Sequence, residues 1–310
     1  MTHLLRKLMG QERELIVLSL GAQNGGVPAP DREDLGESPA PVSRVEEAAT
    51  TERLAVVPPR QSNAHPRKRS VAIDHISALM SSKERLAYAS EEYRMLRTRI
   101  AQLVRKPFQL AITSPSIGDG KTVTAINLAT ALALRSEERA LLIDADLRRA
   151  GIHRMLRVPN EPGLADVLQG SCRLEDAVFE VAELPGLYVL PAGVARGNPT
   201  EMLDSARWRD LAELVRQRFA QVIIDCPPVE VVADYDLIAT VCNGAVLVVR
   251  PDHTDRTLSM AAIEKLKPKL TGIVINAAPE WFLWKQPSHH GYYYYRAAAP
   301  ASKDKGEKSK

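Results

Sequence analysis

From residue 84 to residue 280, two rhythms of apolar residues alternate along the chain. Short, nearly continuous apolar runs occur at FQLAITS (108–114), ALLIDAD (140–146), LYVLPAG (187–193), QVIIDC (221–226), AVLVVR (245–250) and TGIVIN (271–276). Between them lie longer stretches with helical spacing: KTVTAINLATALAL (121–134), SARWRDLAELVRQRF (205–219) and TLSMAAIEKLK (257–267). Runs that are apolar on both faces are expected of strands covered on both sides, as in parallel sheets. Strand and helix in alternation predict an α/β fold, a mostly parallel sheet with helices on both faces. Ligands on such folds bind beyond the carboxyl ends of the strands.

The flanks read differently. Residues 21–70 are rich in Pro, Gly, Ser and Glu with few large apolar groups, a composition that cannot offset the entropy of ordering, so a disordered linker is expected. It closes on the basic cluster HPRKRS (65–70), read as a solvated charge run. The opening MTHLLRKLMGQERELIVLSL is interrupted by Glu12, Arg13 and Glu14. Its apolar run is shorter than the ~7–15 residues of a secretion signal, so a cytoplasmic start with a short helix is expected. The organisation that follows is a largely disordered segment over 1–83, one domain over 84–285 and a disordered tail over 286–310.

Composition narrows the classes. At 310 residues the chain is 45% hydrophobic and 25% charged with a net charge of +3, the balance of a globular protein rather than a dedicated nucleic-acid binder. No stretch reaches the ~18 apolar residues that span a bilayer. Cys172, Cys226 and Cys242 form no CxxC pair, which suits neither zinc nor a disulfide framework and fits a reducing cytosol. Cys226, directly after Asp225, reads as a small buried thiol.

The first strand end carries chemistry. In ITSPSIGDGKTVTAINLA (112–129) a strand runs into a glycine-containing loop and then a helix, the setting of a phosphate-binding loop. Gly118 and Gly120 let backbone N–H groups approach phosphates, Lys121 reaches the β/γ oxygens, and Thr122 offers its hydroxyl to magnesium at the helix N-terminus. The binding run is Gly118, Asp119, Gly120, Lys121, Thr122 and Val123. Pro115 stands where the strict pattern has its first glycine. LLIDADLRR then delivers Asp144 and Asp146, followed by Arg148 and Arg149, and VIIDCPP delivers Asp225. Carboxylates at the ends of apolar strands need a compensating cation or hydrogen bonds, and magnesium beside a phosphate loop supplies one.

This combination resembles the deviant-Walker P-loop ATPases, and within them the bacterial tyrosine autokinases of capsule and exopolysaccharide synthesis. TSPSIGDGKT, LLIDADLRR and VIIDCPPV are similar to the family's three nucleotide motifs, and GLADVLQG (163–170) and LPAGVARGNPTEMLDS (190–205) to its intervening segments. SEEYRMLRTRI (90–100) is similar to a helix whose Glu91, Arg94 and Arg97 pattern the family ties to ring assembly between subunits. The same residues also read as ordinary i,i+3 surface pairs on one helix face.

The resemblance implies ATP and Mg2+ as cofactors. It implies that Lys121 and the loop amides hold the phosphates, with Thr122 and Asp146 on magnesium and Asp225 steering its water shell. Asp144 is then the acceptor of the tyrosine proton, although the roles of Asp144 and Asp146 are interchangeable on sequence. Asn276, ending the last strand, is either an adenine contact or a plain strand cap.

Four of the eight tyrosines, Tyr292, Tyr293, Tyr294 and Tyr295, form GYYYYR (291–296) in the polar tail. The resemblance makes all four phosphorylation sites modified by a neighbouring subunit. It further implies a homo-oligomeric ring, a separate transmembrane co-polymerase or activator, a cognate tyrosine phosphatase, and residence at the inner face of the membrane through a partner.

Departures from the family pattern are Ala150 in place of a proline, the compactness of the tyrosine cluster, and Asn243 before Gly244, which bears on the nucleotide side. His289 and His290 make no metal site, and Trp281 and Trp284 read as cover for an apolar edge. The competing functions are a Min- or Par-type positioning ATPase, which carries an extra lysine where this chain has Pro115, and a nucleotide-binding subunit without catalysis.

Overall fold

A computed structural model describes residues 17–21, 67–70, 84–134, 138–231, 233–251 and 253–278. In chain order the elements begin with β1 (Val17–Gly21), β2 (Arg67–Arg69), α1 (Glu84–Leu103), β3 (Phe108–Thr113), α2 (Lys121–Ala133) and β4 (Ala140–Asp144). Three short helices follow, α3 (Ile152–Leu156), α4 (Leu164–Gln169) and α5 (Leu174–Ala177), then β5 (Phe179–Val181) and β6 (Leu187–Leu190). The rest comprises α6 (Pro199–Asp204), α7 (Ala206–Arg218), β7 (Gln221–Asp225), α8 (Asp234–Thr240), β8 (Gly244–Val249), α9 (Arg256–Leu266) and β9 (Leu270–Ala278).

The strands form one sheet in the order β1-β9-β8-β3-β7-β4-β6-β5-β2. Its pairings are parallel except β5 with β6. Successive strand residues point to opposite faces, so one buried run serves two cores. Leu110, Ile112, Leu142 and Ile223 pack with Tyr93, Leu96 and Ile100 of α1 and with Ile126, Leu128 and Ala129 of α2. Ala111, Leu141, Ile143, Val222 and Ile224 pack instead with Trp208 and Val215 of α7, Ile238 of α8 and Ile263 of α9. The six apolar runs read as strands are strands, and the central four, β3, β7, β4 and β8, are buried along their whole length.

Three features differ from the sequence reading. Val17–Gly21 lies in a segment expected to form a short helix, yet it is a strand beside β9, with Val17 opposite Ile273. Arg67–Arg69 falls in the basic cluster expected to be solvated linker, but pairs with β5 along Phe179–Val181. There the Arg69 guanidinium sits 5.0 Å from the centre of the Phe179 ring, a cation–π contact that gives a charged residue an apolar face to rest on. Asn243 does not bear on the nucleotide side. It donates its N–H to the Gln109 carbonyl and accepts the Gln109 N–H on Oδ1, each at 2.8 Å. That pairing joins the beginnings of β3 and β8, the opposite end of the sheet from the glycine loop.

The expectations for the tail fall elsewhere. Tyr292, Tyr293, Tyr294 and Tyr295, read as phosphorylation sites, lie outside the described residues, as do Trp281, Trp284, His289 and His290.

Candidate active site

The loop between β3 and α2 is held open by glycines and pinned by neighbours. Gly118 and Gly120 have φ of 92° and 94°, the left-handed region that side chains rarely enter. A Cβ on Gly120 would lie 2.0 Å from Asn276 Nδ2, and one on Gly118 2.9 Å from His253 Nε2. Asn276 donates to the Asp119 carbonyl at 2.7 Å, and His253 Nε2 bonds the Ile117 carbonyl at 2.8 Å. The buried Asp119 carboxylate accepts the Ser116 N–H at 3.0 Å and bonds the Thr254 hydroxyl. Asp119 therefore shapes the loop with its side chain and has only backbone to offer a ligand. Asn276 acts here as a clamp on that backbone.

Helix α2 begins at Gly120 without a side-chain cap, whereas α6, α7 and α9 are capped by Asn198, Ser205 and Asp255. Its first-turn N–H groups thus face the loop mouth together with the positive end of the helix dipole, an arrangement suited to an anion.

Opposite the loop, strand-end carboxylates gather around one ammonium. Lys121 Nζ lies 2.8 Å from Asp146 Oδ2 and 3.6 Å from Asp225 Oδ1. Thr122 Oγ1 donates to Asp225 Oδ2 at 2.7 Å. Asp144 Oδ2 accepts the N–H groups of Gly151 and Ile152, each at 3.0 Å, and so caps α3. Gly151 is held small by this packing, since a Cβ there would stand 3.1 Å from Thr122 Cγ2.

The electrostatics follow from burial. Asp144 is pushed from 3.8 up to about 7, first by desolvation and then by the Asp225 charge. Burial raises Asp225 as well, against the pull of Lys121 and the Thr122 hydroxyl. Burial alone would lower Lys121, but Asp225 and Asp146 outweigh it and hold the ammonium above its ordinary value. Asp144 Oδ1 and Asp225 Oδ1 are buried and accept no hydrogen bond among the described residues. Buried oxygens without a donor are high in energy. A cation held by Thr122 and one or two carboxylates would relieve them, the ligand set magnesium takes beside phosphates. The residues present therefore fit a magnesium–nucleotide complex.

The structure brings Gly118, Gly120, Lys121, Thr122, Val123, Asp144, Asp146 and Asp225 to one end of the sheet. It splits the helix trio. Arg94 pairs with Glu91 at 2.9 Å on the exposed face of α1, while Arg97 donates to the Ala131 carbonyl in the last turn of α2 at 3.0 Å. Sequence reasoning missed His253, Thr254 and Gly151. His253 and Thr254 follow a strand with no motif around them, and Gly151 has no signal of its own beyond being a glycine soon after the paired aspartates. Cys226 is a wholly buried thiol, which burial holds well above its ordinary pKa.

Residues 109–269 match a family model described as an AAA domain. The tyrosine-protein kinase YwqD of Bacillus subtilis (strain 168) is 36% identical over 211 residues, covering 66% of this chain and 86% of that protein. The tyrosine-protein kinase ptk of Acinetobacter johnsonii is 35% identical over 193 residues, 61% of this chain but 26% of that longer protein. Among solved structures, the kinase domain of the Escherichia coli tyrosine kinase ETK superposes with a TM-score of 0.60 at 27% identity, covering 69% of this chain and 84% of that one.

Proposed function

Because the chain belongs to the bacterial tyrosine-protein kinase family of P-loop ATPases, we propose that it transfers the γ-phosphoryl group of Mg-ATP to tyrosine, its own Tyr292, Tyr293, Tyr294 and Tyr295 included. The observation that carries this reading is the engagement of Lys121 by Asp146 and Asp225 at the mouth of the glycine loop. It supports the reading because an ammonium and candidate metal-ligand carboxylates so gathered and buried, with Lys121 2.8 Å from Asp146 and 3.6 Å from Asp225, need a charged ligand to serve. Relatives named as tyrosine kinases favour transfer to tyrosine over a positioning ATPase or a subunit without catalysis.

In this mechanism the protein mainly positions reactants and neutralises charge. Lys121 turns from its carboxylates to the β/γ oxygens, assisted by loop N–H groups and the uncapped start of α2. Thr122, Asp146 and Asp225 would hold magnesium, which when bound would offset the charge of the phosphates. The phenolic oxygen forms a bond to the γ-phosphorus as the bond to the β–γ bridging oxygen breaks and ADP departs. The phenolic proton passes to a carboxylate. Burial holds Asp144 above the ordinary carboxylate range, the direction that suits a proton acceptor.

The proposed setting is a homo-oligomeric ring to which Glu91 and Arg94 contribute directly and Arg97 by holding α1 against α2, recruited to the inner face of the membrane by a separate transmembrane polysaccharide co-polymerase. It regulates capsule or exopolysaccharide export, with a phosphatase resetting the tail. In support, Glu91 and Arg94 stand exposed on α1, and no described helix is long and apolar enough to cross a membrane. The test is incubation of the purified chain with Mg-ATP followed by mapping of phosphotyrosine. Label on Tyr292, Tyr293, Tyr294 or Tyr295, absent in Lys121→Ala, is the expected result; undiminished label in that variant would remove Lys121 from the site.

A further inference from the structure

Arg148 follows the paired aspartates in sequence and plays no part in the mechanism above. In the structure it leaves the loop after β4 and reaches the start of α8. Its Nε lies 2.7 Å from Asp234 Oδ2 and its Nη2 3.3 Å from Asp234 Oδ1, a forked contact on one carboxylate. The same Nη2 donates to Thr200 Oγ1 at 2.8 Å, and that hydroxyl donates on to Asp234 Oδ1 at 2.7 Å. The side chain of Asp234 is 2% exposed, that of Arg148 40%. A carboxylate so buried needs its partners, so the contact is not a solvated surface pair.

The consequence runs through the backbone. Arg148 sits inside a turn closed by Arg149, whose N–H bonds both the Asp146 carbonyl, at 3.1 Å, and Asp146 Oδ1, at 3.0 Å. With Oδ1 occupied by the turn, Oδ2 is left facing Lys121 at 2.8 Å. Asp234 in turn ends the loop that leaves Asp225. That loop is fastened at its middle by the Val229 N–H on the Ser114 carbonyl at 2.9 Å and by Lys265 Nζ on the Val229 carbonyl at 2.9 Å. The guanidinium therefore joins the Asp146 loop to the Asp225 loop, with Thr200 of α6 as the third leg.

We infer that Arg148, through Asp234 and Thr200, is a positioning residue that sets the orientation of Asp146 relative to Asp225 and thereby the affinity of the site for a divalent cation. The inference rests on the nucleotide reading above. Two contributions are thereby distinguished: Lys121 and the loop amides bind phosphate whether or not metal is present, while the Arg148 tie bears on Asp146, which leaves Lys121 for the metal once Lys121 has turned to phosphate. Lysine cannot replace the fork, because a single ammonium cannot meet both Asp234 oxygens and Thr200 in one plane.

The experiment uses the full chain and a fluorescent ADP analogue, titrated first in a metal chelator and then with Mg2+ at fixed nucleotide. In Arg148→Lys the Mg2+ midpoint should rise about ten- to a hundredfold, the range for groups that orient metal ligands from behind, while metal-free nucleotide affinity stays within about twofold. A role in folding alone would weaken both titrations together, and that result overturns the inference, as does an unmoved Mg2+ midpoint. Should Arg148→Lys fail to fold, Thr200→Val removes only the hydroxyl leg and must move the midpoint the same way by a smaller factor. If it does not, the inference fails. A wild-type chain that binds no nucleotide would overturn the proposed function itself, and this inference with it.

Discussion

Asp144 and Asp225 stand directly opposite each other on β4 and β7, in register, and both are fully shielded from solvent. Two carboxylates so placed cannot both ionise without loss, because burial raises both and the Asp225 charge raises Asp144 further. The pair is stabilised by what surrounds it: the N–H groups of Gly151 and Ile152 on Asp144, and Thr122 and Lys121 on Asp225. The site is thus poised to take up either a proton or a cation.

That poise predicts a pH dependence. Asp144 is raised from 3.8 to about 7 in the fold, so the native chain holds a proton that the unfolded chain releases. Stability is fully present below 3.8 and falls as pH rises toward about 7. Urea unfolding at about pH 5 and about pH 8 without nucleotide should show the chain more stable in acid over that window. Asp144→Asn, which keeps an acceptor for Gly151 and Ile152, should flatten the slope, raise stability at the higher pH and abolish phosphotransfer. A slope unchanged in that variant would assign the titration elsewhere.

Gly120 offers a sharper test of the loop. Alanine there must adopt φ near 94° and place its Cβ 2.0 Å from Asn276 Nδ2. A strained φ at a residue other than glycine costs about 1–3 kcal/mol, and the clash adds to it. Gly120→Ala should lower stability and eliminate nucleotide binding. Adding Asn276→Ala removes the clash but not the strain, so stability should recover only in part. Complete recovery would mean that φ carries no penalty.

The division between what was legible and what was not follows from the range of the interactions. Apolar runs such as QVIIDC and AVLVVR announce themselves, because a strand covered on both faces must be apolar at every position. Asp144 and Asp225 were legible because each closes such a run, and Lys121 because it stands in a glycine-containing loop between a run and a helix. β2 was not, since RKR has no strand signature and is held by its neighbour Phe179. Asn243 was read as bearing on the nucleotide side because it departs from the family pattern before Gly244, but a parallel strand has two ends and the residue lies at the far one. Asp119 and Thr254 meet across 135 positions of sequence, and no local pattern contains that contact.

Asp119 makes this concrete. Its carboxylate is wholly buried and gathers Ser116 and Thr254, so Asp119→Ala leaves the Ser116 N–H and the Thr254 hydroxyl without their acceptor. The expected loss is about 1–3 kcal/mol of stability, the penalty for buried donors left unmade. Nucleotide affinity should fall with it, although the side chain would never touch the ligand. Thr254→Val should reproduce part of both effects. Loss of affinity in Asp119→Ala with stability intact would instead indicate direct contact with the nucleotide.

The two arginines of α1 should behave differently although they lie three positions apart. Arg94 is exposed and bonded to Glu91 within one turn, a kind of pair worth little in water. Arg94→Ala should change stability by less than about 0.5 kcal/mol. Arg97 crosses to α2 and satisfies the Ala131 carbonyl near the helix C-terminus, where a positive charge also meets the dipole. Its loss should lower stability by about 1–2 kcal/mol, through one hydrogen bond to a charged donor and some packing. Chemical denaturation of each single variant measures this difference, and light scattering of the same samples measures assembly. If the exposed pair serves the ring, Arg94→Ala should reduce particle mass without touching stability, while Arg97→Ala reduces mass only as far as it loosens α1 from α2. A particle of unchanged mass in Arg94→Ala would return Glu91 and Arg94 to the status of a solvated helix pair and move the interface elsewhere on the chain.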